Sequence, residues 1–268
     1  MRWAWALILA GCVASEAAPP FAGGSSPGGG GGTVPTVDST LATCQGLTPV
    51  EGDICYPTDS PYTLVARVAG TWSYRYPGIG FDVTPPPSAG WTAYNSGSVA
   101  AVGGVRVLTS PAETVVWRGE TRARPSDPTV TPYTVTMVLY SPWLGATAAS
   151  GLGSIGAGHT DATALHALYS GGGVISRAIY STSADSSYVS SQDLVALGGN
   201  FIAVKIVEDG TNRSHYIGSL DTGTWVQVGT STSRTGTFTA TGTGWWAKSF
   251  STTAAREVHL VHYAEGTP

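Results

Sequence analysis

Residues Phe201–Val228 read FIAVKIVEDGTNRSHYIGSLDTGTWVQV. Ile202, Val204 and Ile206 fall on one face of an extended run, and Ala203, Lys205 and Val207 fall on the other. Two turn signals, Asp209-Gly210 and Asp221-Thr222-Gly223, break the stretch into short pieces. A period of two with this punctuation predicts antiparallel strands joined by tight turns. Working outward, similar runs occur at Ser98–Ala101, Val105–Thr109, Glu113–Arg118, Tyr133–Tyr140, Ala162–Ser170 and Val174–Ser181. Others follow at His215–Leu220, Trp225–Thr230, Gly244–Phe250 and Glu257–Tyr263. Many short strands separated by Gly, Pro, Asp and Ser predict an all-β sandwich of two antiparallel sheets. No window holds a sustained helical period; Asp185–Val195 is the best candidate for a short helix or irregular crossover.

Three passages carry a family likeness. They are VKIVEDGTNRSHYI, the strand TPYTVTMVLYSPW at Thr131–Trp143, and a closing strand near Gly244–Phe250 followed by REVHLVHYAEG. Between them lies the run Arg234–Thr241. In order and spacing these resemble the concanavalin A-like (laminin-G-like) jelly roll of bacteriophage tail and other virion proteins. The resemblance spans about residues 88 to 266. It implies a jelly-roll topology for the sandwich and a role on a surface.

The bulk numbers narrow the partners. Charged residues make up 11% of the 268 residues, against about 25% in an ordinary domain. The surface is therefore built largely from Ser, Thr, Asn and Gly. Net charge is −4 and no basic cluster appears, so nucleic acid is not an expected partner.

The N-terminus reads as an export signal. Met1–Cys12 is MRWAWALILAGC, with one positive charge before an apolar run too short to span a bilayer. Its end, Leu9-Ala10-Gly11-Cys12, resembles a bacterial lipoprotein signal, which implies lipidation of Cys12 and a membrane anchor. A plain secretory signal, or a misplaced start codon on a virion protein, reads the same residues differently. Residues 13–40 are rich in Gly and Pro and predict a disordered tether. Such a coil spans on the order of 30 Å. Residues 41–87 read as a small β module closed by Pro85-Pro86-Pro87, and residues 88–268 as the jelly-roll domain. The module holds a hairpin, TLVARV-AG-TWSYRY, and two cysteines, Cys44 and Cys55. With Cys12 lipidated these two make an even pair. A bridge would stabilise the fold by about 3 kcal/mol and belongs outside the cytosol. Two free thiols are the alternative.

Catalytic patterns are not found. Endoglucanases of the resembled fold carry Glu-x-Asp-x-x-Glu on one strand; here Glu51-Gly52-Asp53 starts that pattern and Tyr56 ends it. Glu208 and Asp209 are adjacent and point to opposite faces of a strand, so they mark a turn. Glu113 and Glu120 are an odd number apart. Gly151–Gly156 has the wrong spacing for a nucleophile elbow and reads as a glycine-rich loop. His259 and His262, three apart on a strand, are expected on opposite faces and cannot chelate together. His159-Thr160-Asp161 is a weak ligand pattern, and His166 and His215 read as packed histidines. Arg213 reads as a strand-flank charge. No metal or cofactor is implied.

Binding is what remains. Beyond the signal, Trp occurs at 72, 91, 117, 143, 225, 245 and 246. Aromatic rings stack on the CH faces of sugars, and polar side chains fix their orientation. Trp245-Trp246 on a strand sends one ring inward and the other outside. Trp143 ends a strand, and Tyr140, Tyr169 and Tyr180 could line the same open face. The expected ligand-binding residues are therefore Tyr140, Trp143, Tyr169, Tyr180 and Trp246, with a polysaccharide or cell-surface glycan as partner. The other expectation is a structural virion component or homo-oligomer that uses its sheet for assembly.

Overall fold

The computed structural model describes residues 39–79, 81–112, 116–141, 153–161, 164–171, 174–181, 188–196, 200–220, 222–235, 238–249 and 255–268. The Cys12 lipidation site and the N-terminal signal lie outside these residues, as does the tether up to residue 38. One short helix, α1 (Leu41–Gln45), opens the chain, with Thr40 at its N-cap accepting from the Thr43 amide. The first strands are β1 (Ile54–Cys55), β2 (Thr63–Val68) and β3 (Thr71–Arg75). Then come β4 (Trp91–Tyr94), β5 (Ser98–Val102), β6 (Val105–Ser110), β7 (Arg118–Ala123), β8 (Tyr133–Tyr140) and β9 (Ser154–Thr160). Next are β10 (Leu165–Gly171), β11 (Val174–Tyr180), β12 (Tyr188–Ala196), β13 (Phe201–Glu208) and β14 (Asn212–Gly218). The last are β15 (Trp225–Gln227), β16 (Thr232–Ser233), β17 (Gly242–Lys248) and β18 (Arg256–Gly266).

The fold is the all-β sandwich that the alternation predicts. One sheet runs β12-β11-β10-β9-β17-β7-β4, and the other β15-β14-β13-β8-β18-β6-β5, with β16 added on β14. Every pairing is antiparallel. The quoted stretch behaves as its pattern dictates. Strand β13 alternates half-buried and buried residues along its length. Ile202, Val204 and Ile206 join Met137 and Leu139 of β8, and Trp245 and Ala247 of the facing sheet, in one core. The β13–β14 turn closes because Gly210 adopts φ +95, and Asp209 Oδ1 accepts from the Thr211 and Asn212 amides at 2.9 and 2.7 Å.

Several elements depart from the sequence expectation. Where Glu113–Arg118 is expected as a strand, β7 runs Arg118–Ala123 instead, and residues 113–115 lie outside the described residues. Trp91–Tyr94 and Ser154–Thr160 are strands, and the segment expected as a helix or crossover, Asp185–Val195, holds β12 instead. Strand β9 is buried at all seven positions in the middle of its sheet. Its glycines make it read as a loop, yet it is a paired strand in which Gly156 lies opposite Trp246 and Gly158 opposite Gly244.

The strands β1-β2-β3 form a third small sheet. It packs on the outer face of the β8-bearing sheet, where Tyr62, Leu64, Tyr76 and Val83 share a cluster with Val105, Val138 and Val261. Cys44 and Cys55 are joined in a disulfide inside this cluster, their Cα atoms 6.0 Å apart. Tyr62 donates to the Val261 carbonyl at 2.8 Å, and burial raises its phenol well above the ordinary tyrosine range.

Candidate functional site

Most of the aromatics expected at a binding face are committed to packing. Trp245 and Trp246 do point to opposite sides of β17, but both are 0% exposed. Trp245 enters the core between the sheets. Trp246 is on the far side, in a second cluster with Tyr94, Trp117 and Tyr180. The expectation of an exposed indole at 246 is therefore corrected. Alternation sets the side, while these neighbours cover it. Gly119 makes room for the ring, since a Cβ there would lie 2.9 Å from Trp246 Cδ1 and 2.0 Å from the Trp245 carbonyl oxygen. Tyr180 is buried in the same cluster, with Trp117 edge-on at 5.8 Å, and is not a surface residue either. Tyr140 is half-buried beneath the small sheet, between Phe201 at 4.8 Å and Tyr76 at 5.8 Å. Trp143 and the side chain of Tyr169 lie outside the described residues.

The histidines also differ from expectation. A register shift between Leu260 and His262 bulges β18, so His259 and His262 share the outer face. Each meets a residue of the segment that carries or follows the small sheet. His259 Nδ1 meets the Tyr76 hydroxyl at 3.2 Å, and His262 Nδ1 accepts from the Thr84 amide at 2.9 Å. The proton on His262 therefore sits on Nε2, which faces Thr136 Oγ1 at 3.1 Å. Burial lowers this imidazole to about 4. His159 Nδ1 lies 3.3 Å from His215 Nε2 in the interior, and burial holds His159 well below its ordinary value. Asp161 caps the Ala164 amide at 2.7 Å. Among the described residues no group of three or more His, Cys, Asp or Glu could hold a metal.

The acids are likewise engaged. Glu208 and Arg213 face each other across the β13–β14 hairpin, buried, with Nε 3.4 Å from Oε1. Tyr133 donates to Glu208 Oε2 at 3.1 Å, and burial pushes the Glu208 carboxyl up. Arg213 is thus an interior ion-pair partner, not a charge at the flank of a strand. Glu120 is gripped by Arg106 through two contacts of 2.5 Å. Neither carboxylate presents itself to a groove.

One patch combines rings, a cation and polar groups on the outer face of the β8-bearing sheet. Alternation sends Lys205 outward from β13, and pairing sets it opposite Tyr216 of β14. The Lys205 ammonium lies 4.6 Å from the Tyr216 ring and 5.2 Å from the Trp225 ring. Gly218, paired with Trp225, leaves space for that indole: a Cβ there would come within 2.9 Å of Trp225 Cε3. All three side chains are half-buried. Partial burial lowers the Lys205 ammonium from its ordinary value. Alongside runs a polar row, in which Gln227 Nε2 donates to Ser231 Oγ at 3.1 Å, and Ser231 Oγ meets Ser214 Oγ at 2.7 Å. Two rings, an ammonium, an amide and hydroxyls on an open sheet face can stack on a sugar ring and hydrogen-bond its hydroxyls.

No protein-family model and no curated protein matches the chain. Solved structures do. The CBM2 module of the evolved Dit of Lactobacillus casei BL23 phage J-1 is 16% identical, with a TM-score of 0.44 over 67% of this chain and 90% of that one. Carbohydrate binding module CBM66 from Bacillus subtilis is 11% identical, with a TM-score of 0.43 over 66% of this chain and 96% of that one. A GH43 glycoside hydrolase with an engineered active site is 12% identical, with a TM-score of 0.49 over 77% of this chain but 44% of that one. At these identities and scores the likeness settles nothing about what this chain binds.

Lys205, Tyr216 and Trp225 are not among the ligand residues that the sequence suggests. Alternation showed Lys205 turned away from the core. The turn at Asp209-Gly210 fixes the register that sets Tyr216 opposite it, and this was the signal available.

Proposed function

We propose that this chain is a non-catalytic surface protein that binds carbohydrate through the outer face of its β8-bearing sheet. The observation that supports this is the placing of the Trp225 and Tyr216 rings about the Lys205 ammonium, beside the Gln227–Ser231–Ser214 row. Loss of Trp225 removes the largest stacking surface. On an array of neutral and charged glycans, Trp225→Ala and Tyr216→Ala should each weaken binding by about tenfold or more with the melting temperature kept. Binding that matches the parent in both variants overturns the reading.

A second reading, assembly into a virion or homo-oligomer, has its own support. The β8-bearing sheet ends on β15 and β5, whose Val226 and Val102 are 58% and 52% exposed. Unpaired edges with apolar side chains favour strand addition. Light scattering separates the two, since an assembly protein is oligomeric and silent on glycans. The proposed setting is the cell envelope, reached by export and held by lipid on Cys12, or alternatively the virion. The Cys44–Cys55 disulfide is in keeping with an oxidising compartment. Labelled palmitate should enter the parent and not Cys12→Ser.

A further inference from the structure

The outer face of the β8-bearing sheet carries a positive charge that no acid beside it balances. Pairing lays out the neighbours. Lys205 stands in one cross-strand row between Thr136 of β8 and Tyr216 of β14, with Gln227 of β15 beyond Tyr216. The next row on the same face, toward the β13–β14 turn, holds Thr134, Val207 and Ser214. In the opposite direction lie Val138 and Ala203, and then Gly218 and Trp225. No carboxylate stands in any of these positions. Among the described residues the Lys205 ammonium meets the two rings, at 4.6 and 5.2 Å, and no acid. Arg106 and Arg213, by contrast, each have a glutamate, Glu120 and Glu208.

This arrangement discriminates among ligands by charge. A ligand seated on the Tyr216 and Trp225 rings lies against the ammonium and takes water from it. Lys205 is already half-buried, and a cation that loses more water without gaining a counter-charge is destabilised. A neutral sugar returns only hydroxyl dipoles. A carboxylate or sulfate returns a charge-assisted hydrogen bond, about twice as strong as a neutral one. A cationic ligand meets Lys205 as a like charge. The chain as a whole carries −4, so the attraction is local, acting within about 8 Å at physiological salt.

Granted the carbohydrate reading above, we infer that this face takes an acidic saccharide. One anionic group of the ligand pairs with Lys205, its ring lies on Trp225 or Tyr216, and its hydroxyls meet Gln227 and Ser231. An ammonium is a point charge and does not impose the planar two-point geometry of a guanidinium, so it accepts a carboxylate or a sulfate alike.

The test uses the full chain, disulfide intact, on an array in which each acidic glycan is printed beside its neutral counterpart. Oligogalacturonate against its methyl ester is the carboxylate arm, and dextran sulfate against dextran is the sulfate arm. In at least one arm the acidic member should bind about tenfold or more tightly than its counterpart. Lys205→Met should abolish that preference and Lys205→Arg should keep it. Raising sodium chloride from about 50 to about 500 mM should weaken the parent severalfold and leave Lys205→Met unmoved. Equal melting temperatures show that the fold is kept, and a loss of structure alone would not restore parity between the two members of a pair. The inference is overturned if neutral members bind as well as acidic ones, or if Lys205→Met keeps the preference. Neutral glycans bound in a Trp225-dependent way would sustain the carbohydrate reading and sink this one. Parent-like binding in both Trp225→Ala and Tyr216→Ala, or a silent array, sinks both.

Discussion

Trp225 and Trp246 show how neighbours decide what a tryptophan does. Both lie on strands and both point away from the core between the sheets. Trp246 meets Tyr94, Trp117 and Tyr180 and vanishes from the surface, whereas Trp225 lies across Gly218 at the end of its sheet and stays half-exposed. Their removal should therefore separate stability from binding. Trp246→Ala opens a cavity and should cost about 3–5 kcal/mol in urea unfolding. Trp225→Ala should cost about 1 kcal/mol or less. Comparable losses for the two would contradict the packing described. At this scale the sequence was half legible. Alternation gave the side of every residue on β13 and β17. It could not tell an outward residue under cover from one in water, because cover comes from residues far away in the chain. Arg213 is the same lesson in charge: only the pairing across the hairpin shows that its partner is the buried Glu208.

Among the elements, β18 departs most usefully from regularity. Its bulge places Val261 and His262 together on the outer face, where His262 receives the Thr84 amide. The folded form needs this imidazole neutral, and burial lowers it from 6.5 to about 4. The stabilisation is therefore whole above pH 6.5 and drains away as pH falls toward 4. The pH-dependent loss is on the order of 3 kcal/mol. His159 and His259 are lowered too and add to the fall. Melting temperature should drop across this window, and His262→Gln, which offers the amide an acceptor that does not titrate, should flatten part of the drop. An unchanged profile in that variant would remove His262 from the account. A bulge has no sequence signature of its own here, which is why the two histidines were expected back to back. Strand β9 was illegible for a different reason, since SIGAGHT has glycines where a strand reader looks for branched residues. The space for the Trp246 ring comes from Gly119 and Gly244, where a Cβ would lie 2.9 Å and 2.7 Å from it.

Across the whole molecule, the small sheet and the sandwich share buried surface. Cys44 and Cys55 sit in the same cluster as Val138 and Val261, so the disulfide tightens a seam and not a free-standing module. Opening it should lower stability by about 3 kcal/mol by chain entropy. A reducing agent should shift the urea midpoint, while Trp225-dependent glycan binding persists. A midpoint that does not move would show that the seam holds without its bridge. The all-β class and the sandwich were legible from period and punctuation alone; the docking of the small sheet was not, since it rests on contacts such as Tyr62 with Val261 that no local pattern announces. One feature of the layout bears on how the protein is made. Strand β18 follows β5, β6 and β8 in sequence, yet it lies in the interior of its sheet, between β8 and β6. While the chain is still leaving the ribosome, β6 and β5 have no β8-side partner and must wait, their edges open, until β18 emerges to join them. Assembly is then a late, long-range event, and a nascent chain stalled before residue 256 would be a sticky half-sheet.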